Sequence, residues 1–164
     1  MKIALMAIGL PGSGKTTLLK PLAEKYGLVY INRDDIRKEL LGDAHGQSRN
    51  KEIWQEANRR TAAALSEGKG VVLDSTFLEK WKRKDMIDFL RENGADRIVA
   101  VFFNVSPKIA AERNSARELV VPDEGMDWMR QKLADEPPEV TEGFDALYSH
   151  EAISDLETLD LSQL

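Results

Sequence analysis

The eight residues from Gly9 to Thr16, GLPGSGKT, constrain this chain more than any other stretch. They match G-x-x-x-x-G-K-[ST] in full, between an apolar run (Ile3 to Ile8) and helix-forming residues through Tyr26. Gly9, Gly12 and Gly14 let the backbone turn where a Cβ would clash, so successive N–H groups point inward as an anion cradle. The adjoining helix adds the positive end of its dipole to that cradle. Lys15 is placed to reach the β- and γ-phosphates of a nucleoside triphosphate such as ATP, and the Thr16 hydroxyl to ligand Mg²⁺. The expected nucleotide-binding set is Gly9, Pro11, Gly12, Ser13, Gly14, Lys15, Thr16 and Thr17.

The rest of the chain alternates apolar runs of strand length with helical periodicity. Strands are expected at Ile3–Ile8, Leu28–Ile31, Gly70–Asp74 and Arg97–Phe103, with a fifth inside Phe144–Ile153. Helices are expected from Lys15 to Tyr26, from Asn32 or Asp34 to Leu41, and from Lys51 to Glu67. Three more are expected, from Glu79 to Asn93, from Ser106 to about Glu118, and from Asp123 to Ala134, with residues 43–50 as an exposed loop. This order implies an α/β fold with a parallel sheet of four to five strands, helices on both faces, and a helical lid over about 106–134. At 164 residues a single domain is expected.

In such sheets ligands bind outside the carboxyl ends of the strands. Three chemical stretches therefore converge: the loop after the first strand, Asp34 to Arg37 after the second, and Asp74 closing the third. A carboxylate at Asp34 or Asp35 can accept a proton from an attacking hydroxyl, and Arg37 shares a helix face with Asp34 at a spacing of three. The competing account is that both carboxylates only favour a helix N-terminus and that Arg37 is a solvated charge. Arg113 and Arg117, four apart on one helix, can neutralise a transferring phosphoryl group; otherwise they belong to a surface helix with Glu112 or Glu118 as partners. Asp74 ends Val-Val-Leu-Asp, a pattern that holds the Mg²⁺ shell in many phosphate-loop proteins. Lys80, Lys82, Arg83 and Lys84 read as a solvated basic helix face.

Charge is unevenly spread. Residues 133–164 hold nine Asp or Glu and no Lys or Arg, whereas the other 132 residues carry 23 basic against 19 acidic side chains, a net of +4. A positive face for a nucleic-acid backbone thus survives an overall charge of −5. The chain has no cysteine, which suits the cytoplasm, and the first apolar run is too short for a signal peptide or membrane span. A soluble cytoplasmic protein without a membrane partner is expected. The acidic segment from about 139 to 164 is expected to repel anionic acceptors, its end loose from Ser154.

GLPGSGKT, then Ile31-Asn32-Arg33-Asp34-Asp35-Ile36-Arg37, then Val-Val-Leu-Asp, then Glu112-Arg113-Asn114-Ser115-Ala116-Arg117 and Val121-Pro122 together resemble the kinase domain of bacteriophage-type 5′-hydroxyl polynucleotide kinases. The resemblance covers roughly residues 1–135. It implies ATP-dependent phosphorylation of the 5′-hydroxyl of DNA or RNA, with Asp34 as general base, Arg37 on an acceptor phosphate, and Arg113 and Arg117 as lid arginines. Asp74-Ser75-Thr76 departs from the Asp-Thr-Asn often found after the third strand in that family, and no Asp-x-Asp-Gly-Thr phosphatase signature occurs. A kinase of a small hydroxylated molecule is the alternative, and a nucleotide-dependent switch protein the alternative from another class. Nothing in the sequence specifies the oligomeric state.

Overall fold

A computed structural model of the protein describes residues 1–42 and 49–150. The chain runs β1 (Ile3–Ile8), α1 (Lys15–Tyr26), β2 (Val29–Asn32), α2 (Arg33–Leu41), α3 (Asn50–Ser66) and β3 (Val71–Asp74). It continues through α4 (Lys80–Glu92), β4 (Arg97–Phe103), α5 (Pro107–Ser115), α6 (Asp123–Asp135), a 3₁₀ turn at Val140–Glu142 and β5 (Ala146–His150). The sheet order is β2-β3-β1-β4-β5 and every neighbouring pair is parallel. The fifth strand expected within Phe144–Ile153 is present, and the helix boundaries fall within a few residues of those read from the sequence, except that α5 stops at Ser115 and not near Glu118, so that Arg113 is helical and Arg117 lies in the bend that follows. Of the loop expected at 43–50, residues 43–48 lie outside the described residues, as does the loose end from Ser154, and Asn50 already opens α3.

β1 is the central strand, between β3 and β4, and like them it is apolar enough to be covered on both faces. Ala4 to Ile8 are fully buried. Alternation sends Ala4, Met6 and Ile8 to a core with Ile53 and Leu65 of α3 and Ile87 and Leu90 of α4, and Leu5 and Ala7 to a core with Leu19 and Leu22 of α1. Each such large side chain contributes about 1.5–3 kcal/mol on removal from water. A third cluster, Leu10, Leu78, Val105, Ala110 and Met126, seats α5 and α6 against the loop after β1 and the segment after β3.

Local chemistry sets two helix starts. The Asn32 side chain accepts from the backbone N–H of Asp34 (2.8 Å) and Asp35 (3.1 Å), which makes Asn32, not Asp34, the cap of α2. Ser106 accepts from the Ile109 N–H at 3.2 Å, with Pro107 in the first turn of α5.

One expectation about charge is corrected. Arg83 is not part of a solvated face: it is fully buried on the inner side of α4. Its guanidinium donates to both carboxylate oxygens of Glu142 (2.7 and 2.9 Å), to the carbonyls of Phe77 (2.9 Å) and Leu78 (3.0 Å), and to the Glu136 carbonyl (2.9 Å). Burial of the charge is offset because these partners satisfy the fork. The described part of the acidic segment is likewise not a free block of charge. Glu136 pairs with Lys132, Glu142 with Arg83 and Asp145 with Arg91.

Removing Arg83 strands a carboxylate that is 1% exposed. Arg83→Met is therefore expected to lower unfolding free energy by about 3–5 kcal/mol in urea titrations, and Arg83→Met/Glu142→Leu by less than the single change. Equal loss in the two variants would contradict the ion-pair account.

Candidate active site

The carboxyl ends of β1, β2 and β3 open into one cleft of about 850 Å³. Pro11, Gly12, Gly14, Lys15, Thr16, Thr17, Asp34, Arg37, Asp74, Arg113 and Arg117 all line it. Gly9 and Ser13 do not. They shape the loop from behind: the Gly9 N–H donates to the Thr76 carbonyl at 3.1 Å, and Ser13 is 1% exposed. Gly12 has φ +79, and a Cβ there would stand 2.4 Å from the Ala110 carbonyl oxygen and 2.8 Å from the Asn114 nitrogen. Only glycine fits where the loop presses on α5.

Lys15 is 8% exposed, and its ammonium donates to the carbonyls of Gly9 (2.8 Å) and Leu10 (2.7 Å). Burial lowers its pKa to about 8; the negative charge of Asp74 opposes the shift, the positive charge of Arg117 adds to it, and Asp34 opposes it. Arg117 is thus near enough to be felt at Lys15. Among the described residues neither Arg113 nor Arg117 has an ion-pair partner, so neither is paired with Glu112 or Glu118.

Asp74 is 5% exposed and gathers three donors on one oxygen: the Thr16 hydroxyl at 2.7 Å, the Asn32 amide at 3.1 Å and the Tyr30 hydroxyl. Burial and the Asp74 charge raise the Tyr30 phenol far above its ordinary pKa, so it stays a donor. Sequence reading missed Tyr30 and Asn32 as holders of Asp74. The reason is the parallel pairing of β2 with β3, which sets Asn32 opposite Asp74 and is visible only in the fold.

The two carboxylates of α2 part company. Asp34 faces the cleft with its side chain 48% exposed, whereas Asp35 points to Lys20 at 3.4 Å. Arg37 is not a solvated charge. It is 5% exposed, reaches Asp34 at 3.4 Å and the Asn50 side chain, and leaves its Nε without a partner. Arg33, next to the base candidate, lies 4.0 Å over the Trp54 ring and donates to the Ser75 hydroxyl at 2.8 Å. The serine at the departure from Asp-Thr-Asn thus serves to hold an arginine.

Asn114 was not singled out from the sequence. It is 3% exposed, donates to the Val121 carbonyl at 2.8 Å and accepts from the Val121 N–H at 3.0 Å. It thereby fixes the turn that brings Val121 and Pro122 to the cleft wall.

A parallel sheet whose first strand feeds a phosphate loop, with carboxylates at the ends of the next two strands, defines a phosphate-loop kinase, a nucleotide-using phosphotransferase. The sequence profile of a family described as an AAA domain matches residues 5–137, and the chain belongs to that family. A cytidylate kinase from Methanocaldococcus jannaschii is 30% identical over 136 residues, covering 78% of this chain and 71% of the relative. A putative bifunctional polynucleotide phosphatase/kinase from Acanthamoeba polyphaga mimivirus is 27% identical over 118 residues, covering 72% of this chain but only 24% of that protein. Among solved structures, the Pnkp1/Rnl/Hen1 RNA repair complex contains a chain matching with a TM-score of 0.74 at 21% identity, over 88% of this chain and 46% of that one. That last likeness is one of fold. Among the described residues no helix is long and apolar enough to cross a membrane.

The Lys15 shift gives a pH signature. Its folded pKa of about 8 lies below the ordinary 10.5, so between those values the unfolded chain binds more protons. Stability of the unliganded protein should rise with pH across that window, and Lys15→Met should remove that increment. Denaturant midpoints of the two proteins from pH 7 to 10.5 check it; parallel curves would show that Lys15 is not desolvated.

Proposed function

We propose that the protein transfers the γ-phosphoryl group of ATP to the 5′-hydroxyl of a DNA or RNA strand. The observation that carries this reading is the pairing of Asp34 with a buried Arg37 on one wall of the cleft that also holds the phosphate loop. A hydroxyl acceptor needs a base, and Asp34 is the exposed carboxylate there. An acceptor with a phosphate beside its hydroxyl needs a fixed cation, and Arg37 offers a desolvated fork with an open Nε.

In this mechanism the loop N–H groups and Lys15 hold the β- and γ-phosphates, and Arg113 on α5 and Arg117 in the bend just after it, acting as part of a lid with α6, neutralise charge on the transferring group. The acceptor oxygen forms a bond to the γ-phosphorus as the bond to the β-bridging oxygen breaks. Asp34 takes the hydroxyl proton and ADP leaves. The hard oxygen pair of Thr16 and Asp74, in contact at 2.7 Å, fits Mg²⁺, which takes one or two protein oxygens and the remainder from phosphate and water. Bound there, the ion would neutralise charge on the β- and γ-phosphates.

The likeness to the mimiviral polynucleotide phosphatase/kinase and to the RNA repair complex supports the polynucleotide reading. The 30% identity to a cytidylate kinase favours a second, a kinase whose acceptor is a small molecule such as a nucleotide. A phosphate acceptor brings its own nucleophilic oxygen and needs no base, so Asp34 separates the two.

Labelled ATP is offered with 5′-hydroxyl oligonucleotides, nucleosides, nucleoside monophosphates and simple sugars. Transfer to oligonucleotides above all others is expected, and preference for monophosphates would establish the second reading. Asp34→Asn should lower kcat by about 10²–10⁴-fold with ATP binding retained. Arg37→Ala should raise KM for oligonucleotides, and Arg37→Lys should rescue poorly because it lacks the planar fork.

A further inference from the structure

The cleft is lined by two tryptophans, and they differ in a way that points to what lies between its walls. Trp54 is already stacked, with the Arg33 guanidinium 4.0 Å over its ring. Trp128 is 54% exposed. The fold of α6 does not account for Trp128, since the helix packs through Met126, Met129 and Leu133, a stripe at spacings of three and four. Trp128 stands about 200° around the helix from Met126 and takes no part in that cluster. A single exposed tryptophan on a convex surface would be unremarkable. This one lines a concave site, and shares it with Val120, itself 50% exposed, and with Asp34 and Arg37.

We infer that Trp128 is a specificity-determining residue, the platform on which the nucleobase of the acceptor's 5′-terminal nucleotide stacks. This rests on the polynucleotide reading and deepens it. Every base presents a π-face, so one open indole can receive any of the four in DNA or RNA without reading sequence. The charges agree with such an occupant: Arg37 lines the same cleft and suits the phosphate attached to the sugar that carries the base. The turn held by Asn114 sets Val120 and Val121 on the lining of the same cleft, so part of its wall is anchored.

The test uses the full chain, ATP and two acceptors: a 5′-hydroxyl oligonucleotide, and the same oligonucleotide with an abasic 5′-terminal sugar. For the wild type, KM for the abasic acceptor should exceed that for the intact one by about tenfold or more, the range expected for one stacked base. In Trp128→Ala that ratio should collapse toward one through a rise in KM for the intact acceptor, with kcat little changed, and Trp128→Phe should restore most of it. A ratio near one in the wild type, or an undiminished ratio in Trp128→Ala, overturns the inference while the polynucleotide reading stands. Failure of the wild type to phosphorylate either oligonucleotide overturns both.

Discussion

The placement of β1 is the constraint on which the rest depends. Its residues Ala4 to Ile8 are fully buried, with helices on both faces and β3 and β4 on its two edges. A strand in that position delivers the next residues of the chain, GLPGSGKT, to the middle of the sheet's carboxyl edge. Parallel pairing then fixes the neighbours. Ala7 is opposite Asp74, and Asn32 is opposite Asp74 from the other side, so the residues that surround the loop are set by strand register. The loop is also gripped from behind, through Gly9 to the Thr76 carbonyl and through Gly12 against α5.

Three buried cations show how the protein divides structural from chemical charge. Arg83 finds a carboxylate and three carbonyls, a complete set that ties α4 to the segment after β3 and to the end of α6. Lys15 receives loop carbonyls but no carboxylate within hydrogen-bonding distance among its contacts, and its pKa falls accordingly. Phosphate oxygens would relieve that desolvation. Arg37 lies between these cases, with Asp34 and Asn50 as partners and an open Nε. Of these three cations, the two that line the cleft are the incompletely satisfied ones.

The phosphate loop, the five strands and the caps at Asn32 and Ser106 were legible because each is written in local chemistry: glycines at turns, apolar runs, and a short polar side chain before a helix. The split between Asp34 and Asp35 was not legible. Adjacent residues on a helix point about 100° apart, and only the positions of α1 and the cleft decide which faces Lys20 and which faces the site. The basic run at Lys80 to Lys84 was misread for the same reason: composition marks it as solvated, yet one of its members turns inward to Glu142, 59 residues away.

By itself, then, the sequence determined the strand and helix order, the anion cradle and the spacing that sets Asp34 with Arg37 on a shared helix face, since all of these depend on contacts within a few residues. The tertiary structure alone decided which charges are buried, which are paired, that Tyr30 and Asn32 hold Asp74, and that Trp128 opens onto the cleft. Those outcomes depend on packing between elements far apart in the chain, where burial and partner distance, not residue type, set the free energy of a charge or a ring.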